Sequence, residues 1–163
     1  MSEPKVSLCF VCLGNICRSP TAEGVMKQLA RDAGVADVLF IDSAGTGAYH
    51  AGERADPRSR AEALRRGVEL TSIARQFTPE DFDAFDYVLA MDRANRHDLA
   101  SMARGASHMR KLHMLRSFEP GAGADLDVPD PYQGGPAGFA HVFDMCVAAC
   151  GGLLAHVRTT HRL

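Results

Sequence analysis

The sequence predicts a single α/β/α domain over residues 1–163, a three-layer fold in which helices cover both faces of a four-stranded parallel sheet. The run Val6–Val11 is almost continuously apolar, as expected of a strand buried on both faces. Strand-like and helix-like patterns then alternate along the chain with no repeat, low-complexity tract or domain-sized linker. The last segment places Phe139, Val142, Phe143, Cys146, Val147, Cys150, Leu153, Leu154 and Val157 at helical spacing, a stripe long enough to cover such a sheet.

After the first strand, a helix is expected to start at Pro20, with Ala22, Val25, Met26, Leu29, Ala30 and Ala33 on one stripe and Gly34 as its stop. Val38–Ile41 reads as the second strand. Asp56-Pro57 opens a short helix that Gly67 closes, since proline suits the first helical position and glycine the exit. Tyr87–Met91 reads as the third strand, Arg93–Ala103 as a helix and Lys111–Leu115 as the fourth strand. Parallel strands joined this way need right-handed crossovers. Ligands in open α/β sheets bind beyond the carboxyl ends of the strands, which directs attention to the residues just after Val11.

Those residues are Cys12-Leu13-Gly14-Asn15-Ile16-Cys17-Arg18-Ser19. A loop feeding a helix N-terminus presents unpaired N–H groups and the positive end of the helix dipole, a natural seat for a tetrahedral anion. Gly14 allows close backbone approach, and Asn15 tolerates the left-handed conformation that a closed cradle of N–H groups requires. The backbone from Leu13 to Cys17 would then face the anion, with Cys12 beneath it. The donors that hold phosphate also favour the thiolate, the attacking form of a cysteine. Arg18 offers a planar fork matched to two equatorial oxygens. Ser19 has two candidate jobs, donating to the Cys12 sulfur or capping the next helix. Taken alone, Cys12 would read as a small buried hydrophobe; the arginine, the Gly14-Asn15 pair and the Ser19-Pro20 helix start make it a nucleophile.

The segment F-V-C-L-G-N-I-C-R-S-P-T-A-E resembles the signature of low-molecular-weight protein tyrosine phosphatases. The resemblance extends over nearly the whole chain, through D-S-A-G at Asp42–Gly45, D-P-R at Asp56–Arg58, A-R-Q at Ala74–Gln76, F-D-Y-V-L-A-M-D at Phe85–Asp92 and D-P-Y at Asp130–Tyr132. It implies strand order 2-1-3-4 and hydrolysis of phosphotyrosine and small aryl phosphates through a cysteinyl phosphate. Asp130 is then the general acid and afterwards the general base, although D-P-Y alone is also an ordinary turn whose aspartate caps backbone N–H groups. Asp92 would lie near Arg18, either orienting the guanidinium or capping the following helix. Tyr49 and Tyr132 would stack on the phosphotyrosine ring, or else sit as half-buried loop aromatics. Ile16 stands where related arginine phosphatases carry threonine, which favours phosphotyrosine. Ser43 matches a serine that supports the loop, and Glu23 a buried polar partner. Two departures are visible: Thr71-Ser72-Ile73 replaces the usual histidine before A-R-Q, which helps to hold the loop asparagine, and Gln133 replaces the second of two adjacent tyrosines. Implied partners are phosphotyrosine-containing proteins and a cognate tyrosine kinase.

Composition excludes some other classes. With a net charge of −2, the chain has no basic footprint for nucleic acid, and no run of 18 or more purely apolar residues suggests a membrane span. The apolar N-terminal run follows a single nearby basic residue, Lys5, and contains the nucleophile, so a cytoplasmic protein is expected rather than an exported one. Five cysteines, an odd number, fit reduced thiols. Cys9, Cys146 and Cys150 read as core residues, and Cys9, Cys12 and Cys17 make a poor zinc site because they lack a fourth ligand. The seven histidines show no ligand spacing, with His97, His108 and His113 expected on solvated or partly buried faces; no metal or cofactor is called for. A thioredoxin-coupled arsenate reductase would need relay cysteines, and none occurs between Cys17 and Cys146. A silent phosphotyrosine-binding module would have lost Cys12, Arg18 or Asp130. Cys17, in the same loop as Cys12, is either a packing residue or a resolving thiol that makes the nucleophile redox-sensitive.

Overall fold

The computed structural model describes residues 4–163. Its four strands are β1 (Val6–Cys12), β2 (Leu39–Gly45), β3 (Tyr87–Ala90) and β4 (Leu112–Met114), all parallel in the order β2-β1-β3-β4. Six α-helices accompany them: α1 (Arg18–Asp32), α2 (Pro57–Arg65), α3 (Asp81–Ala84), α4 (Arg93–Met102), α5 (Ala106–Met109) and α6 (Pro136–His161). The predicted class and strand order are those observed.

Strand β1 shows why the first apolar run is continuous. Val6, Leu8, Phe10 and Cys12 project to the side covered by α1 and α6, while Cys9 and Val11 project to the side holding Phe77, Phe82, Val88 and Leu99. Each large side chain fully removed from water there contributes ~1.5–3 kcal/mol. Helix α6 is the one helix among the described residues long and apolar enough to cross a membrane, with a mean hydropathy of 1.5 over its most apolar window. Its apolarity has a local explanation, because Phe143, Cys146, Cys150, Leu153 and Val157 are buried in the same cluster as α1.

Several boundaries differ from expectation. Helix α1 begins at Arg18, two residues before Pro20, and Gly34 (φ 73°) ends it as foreseen. Strand β2 runs on through Asp42-Ser43-Ala44-Gly45, and Val38 belongs to a 3₁₀ turn before it. Val147 lies off the buried stripe of α6 and is exposed, since its neighbours Cys146 and Cys150 already fill the inward arc. His108 is buried rather than solvated: its Nδ1 accepts from the Arg104 N–H and its Nε2 meets Asp83 at 2.7 Å. The one-turn helices α3 and α5 were not anticipated, being too short to show periodicity.

Candidate active site

Strand β1 ends at Cys12, and the chain curls around the carboxyl edge of the sheet before α1 begins. Two backbone bonds seat this curl on the residues after β2, Thr46 N–H to Cys12 O at 2.8 Å and Gly47 N–H to Leu13 O at 2.9 Å. Gly45 makes the approach possible, because a Cβ there would lie 2.6 Å from the Leu13 carbonyl. Asn15 adopts φ 57°, the left-handed conformation expected of it.

Asn15 and Ser19 lie behind the cradle rather than on its wall. Both side chains are buried, and they form part of a connected chain of hydrogen bonds. Asn15 Nδ2 donates to Ser19 Oγ at 2.8 Å and to Ser43 Oγ at 3.0 Å, while Ser43 donates to Glu23 Oε1 at 2.6 Å. Ser19 Oγ sits 3.0 Å from the Cys12 sulfur, and the Asn15 N–H donates to that sulfur at 3.3 Å. Ser19 accepts from Asn15, so its single proton is shared between the sulfur and the more distant Ala44 carbonyl at 3.4 Å. Ser19 does not cap α1; the N-cap is Cys17, with no side-chain hydrogen bond there. No histidine stands before A-R-Q to hold the loop asparagine; its Oδ1 accepts from the Arg75 backbone N–H at 3.1 Å.

Arg18 is buried and divides its guanidinium between two tasks. Nη1 donates to Asp92 Oδ2 at 2.6 Å and to the Val128 carbonyl at 3.0 Å, leaving Nη2 toward Asp130, whose Oδ2 is 3.6 Å away. Burial alone would lower the Arg18 pKa, but the Cys12 sulfur and the Asp92 carboxylate outweigh it and raise the pKa above its ordinary value. Asp92 performs both jobs that the sequence left open: its second oxygen caps α4 by accepting from the Asn95 N–H at 2.7 Å. Asp130 likewise makes the turn its sequence suggested, with Oδ1 accepting from the Tyr132 N–H at 3.0 Å, while Oδ2 remains toward the cradle.

These groups open onto one cavity of about 460 Å³. Its wall includes Cys12, Leu13, Gly14, Ile16, Cys17 and Arg18 from the loop, and Tyr49, Asp130 and Tyr132 from around the mouth. His50 and Gln133 also line it. Sequence reasoning assigned no role to His50, which packs against Gly14, hydrogen-bonds Glu53 at 3.0 Å and stands 6.0 Å from the Tyr132 ring. No spacing could have revealed it, since loop geometry alone brings it there. Tyr49 is 78% exposed, a residue on the cavity rim rather than a half-buried loop aromatic.

Residues 7–163 match the family described as low molecular weight phosphotyrosine protein phosphatase. The chain belongs to that family. It is 47% identical over 152 residues to the low molecular weight protein-tyrosine-phosphatase of Streptomyces coelicolor, covering 93% of each chain. It is 40% identical over 153 residues to the low molecular weight phosphotyrosine protein phosphatase of Sus scrofa, covering 93% of this chain and 96% of that one. Among solved structures, the protein tyrosine phosphatase from Entamoeba histolytica with Hepes in the active site superposes with a TM-score of 0.91 at 38% identity, covering 96% of this chain and 99% of that one. Within this low molecular weight phosphatase, Ser43 links the loop asparagine to Glu23, and Glu23 also holds Lys27 at 2.7 Å.

Proposed function

We propose that this chain, acting as one domain over residues 1–163, hydrolyses phosphotyrosine in proteins, and small aryl phosphates, through a phosphorylated Cys12. The observation that carries this reading is the convergence of Cys12, Arg18 and Asp130 on one cavity, with tyrosines at its mouth. In the first step the Cys12 thiolate attacks phosphorus. The S–P bond forms, the P–O bond to the aryl group breaks, and Asp130 gives its proton to the departing oxygen, which would otherwise leave as a poor phenolate. In the second step water attacks the cysteinyl phosphate and passes a proton to Asp130. The S–P bond breaks, restoring the thiolate and releasing inorganic phosphate. Arg18 and the loop N–H groups stabilise the equatorial oxygens in both transition states. The apolar wall from Leu13 and Ile16, with Tyr49 and Tyr132, suits an aromatic ring; a short phosphoserine would leave that wall unfilled.

Asp130→Asn tests the acid role, because an amide oxygen can still accept the Tyr132 N–H and so preserve the turn. We expect kcat/KM to fall at least about 100-fold for aryl phosphates with poor leaving groups and only a few-fold for those with good ones. An equal loss across leaving groups would make Asp130 structural.

Cys17 extends the reading to redox control. Peroxide would convert the Cys12 thiolate to a sulfenic acid, and attack by the Cys17 sulfur would release water and form a disulfide. Cys17 lines the same cavity, and both cysteines are free thiols here. Burial, and to a lesser extent Asp56, push the Cys17 thiol up to about 12, so proton loss slows its attack while proximity favours it. After brief peroxide and then a thiol reductant, the wild type is expected to recover most of its activity and Cys17→Ala much less. Equal recovery would leave Cys17 as a packing residue against Ala74 and Phe139.

The substrates are phosphotyrosine-containing proteins, with a cognate tyrosine kinase as the enzyme that supplies them. A net charge of −2 supports a protein that does not engage nucleic acid, and the packed stripe of α6 supports one that does not span a membrane; the compartment in this reading is the cytoplasm.

A further inference from the structure

The Asp56-Pro57-Arg58 segment takes no part in the chemistry above, yet it reaches the loop that carries Asp130. Asp56 caps α2, its Oδ1 accepting from the Arg58 N–H at 2.8 Å. The Arg58 side chain then folds back on the same carboxylate, with Nε 3.1 Å from Oδ1 and Nη2 2.9 Å from Oδ2. This two-point grip holds the Asp56 carboxyl below the usual carboxylate range and fixes the plane of the guanidinium. From that plane Nη2 donates to the Tyr132 carbonyl at 2.8 Å. The guanidinium carbon also lies 5.4 Å from the Tyr132 ring centroid and 4.6 Å from that of Phe139, the distances of cation–π contacts.

Between Pro129 and Gly134, the Arg58 bond is the only hydrogen bond linking the segment to the remaining described residues. The other two bonds there are internal, Tyr132 N–H to Asp130 Oδ1 at 3.0 Å and Gly134 N–H to the Pro131 carbonyl at 2.9 Å. The approach of Asp130 to Arg18, at 3.6 Å, is an ion pair without hydrogen-bond geometry. Tyr132 is therefore pinned by Arg58 at its carbonyl and ring, and its own N–H pins Asp130 Oδ1. Oδ2 is thereby left facing Arg18.

We propose that Arg58 is a positioning residue for the general acid: by holding Tyr132 it sets where the Asp130 carboxyl stands over the cavity. The proposal rests on the reading of Asp130 as that acid. Arg58 does not itself line the cavity, so its influence on the reaction runs through Asp130 rather than through contact with the phosphate. The same geometry explains an arginine here. Lysine can reach one carbonyl but cannot grip Asp56 at two points and stack a planar group between two rings.

The test compares Arg58→Met, which keeps an unbranched apolar stem over Phe139 without donors, with Arg58→Lys, Asp130→Asn and the Arg58→Met/Asp130→Asn double variant. The readouts are kcat/KM across aryl phosphates of graded leaving-group pKa, and inhibition by inorganic phosphate. With Arg58→Met we expect about a tenfold loss for the poorest leaving groups, under about twofold for the best, and phosphate inhibition within about twofold of wild type. Arg58→Lys should recover part of the loss, and the double variant should be no slower than Asp130→Asn. A loss uniform across leaving groups, weakened phosphate inhibition, or multiplicative losses in the double variant would overturn the proposal. If Arg58→Met does not fold, the leaving-group slope of Arg58→Lys decides by the same criterion. If Asp130→Asn shows no leaving-group dependence, the acid assignment fails first and the role of Arg58 falls with it.

Discussion

Replacing Cys12 with serine is expected to lower kcat/KM for an aryl phosphate by at least about 10⁴-fold, the scale on which removal of a covalent nucleophile acts. A hydroxyl has the shape to occupy the sulfur's place beside Ser19 and the Asn15 N–H, but it remains protonated where a thiolate would form, and it is the weaker nucleophile. The cradle should survive, since its backbone is fixed by Asn15, Ser43 and the bonds from Thr46 and Gly47. Inorganic phosphate should therefore still raise the melting temperature of Cys12→Ser, which separates lost chemistry from lost binding. Cys146 provides the control. It is fully buried on α6, and burial pushes its thiol up to about 12, so it holds no nucleophile at neutral pH. Cys146→Ala should cost ~1–2 kcal/mol of stability and leave turnover nearly unchanged. More than about 1% residual turnover in Cys12→Ser would refute covalent catalysis at this residue.

The contrast between these cysteines also marks what a sequence can disclose. Cys12 was legible because its partners are local: Gly14, Asn15, Arg18 and Ser19 belong to the same turn, and the adjoining strand and helix constrain how that turn closes. The buried stripes of β1 and α1 were legible for the same reason, since a period of two or 3.6 residues is written into neighbouring positions. The long-range supports were not. The hold on Asn15 depends on the Arg75 backbone N–H, which any residue at that position except proline would supply, so no side-chain pattern announces it. His50 enters the cavity, and Arg58 grips Tyr132 from α2, only because separate loops meet at the sheet edge. The early start of α1 has a cause of its own. Ser19 looked like a helix cap by type, but its hydroxyl is drawn to the Cys12 sulfur, and α1 begins at Arg18. Of the two jobs the sequence offered Ser19, the contact with the Cys12 sulfur is the one the fold keeps.

Arg18→Lys should reduce kcat/KM about 10³-fold despite keeping the positive charge, the loss expected when transition-state donors are removed from a preorganised site. The reason lies in how the guanidinium is shared. Nη1 is committed to Asp92 at 2.6 Å and to the Val128 carbonyl at 3.0 Å, which anchors the side chain while leaving Nε and Nη2 without hydrogen bonds to the described residues. A single ammonium cannot satisfy that anchor and also place two coplanar donors on the equatorial oxygens. If it stays with Asp92, the phosphoryl group loses its clamp; if it turns to the phosphoryl group, Asp92 is left with an unpaired charge beside α4. Asp92→Asn isolates the anchor. The carboxylate uses one oxygen for Arg18 and the other for the Asn95 N–H, whereas an amide has one acceptor oxygen and must turn its NH₂ toward one of two donors. We therefore expect Asp92→Asn to lose about tenfold in kcat/KM, less than Arg18→Lys because the fork itself remains, with a lower melting temperature from the weakened cap of α4. If Arg18→Lys instead keeps turnover within about tenfold of wild type, charge alone suffices at this position and the two-point clamp is wrong.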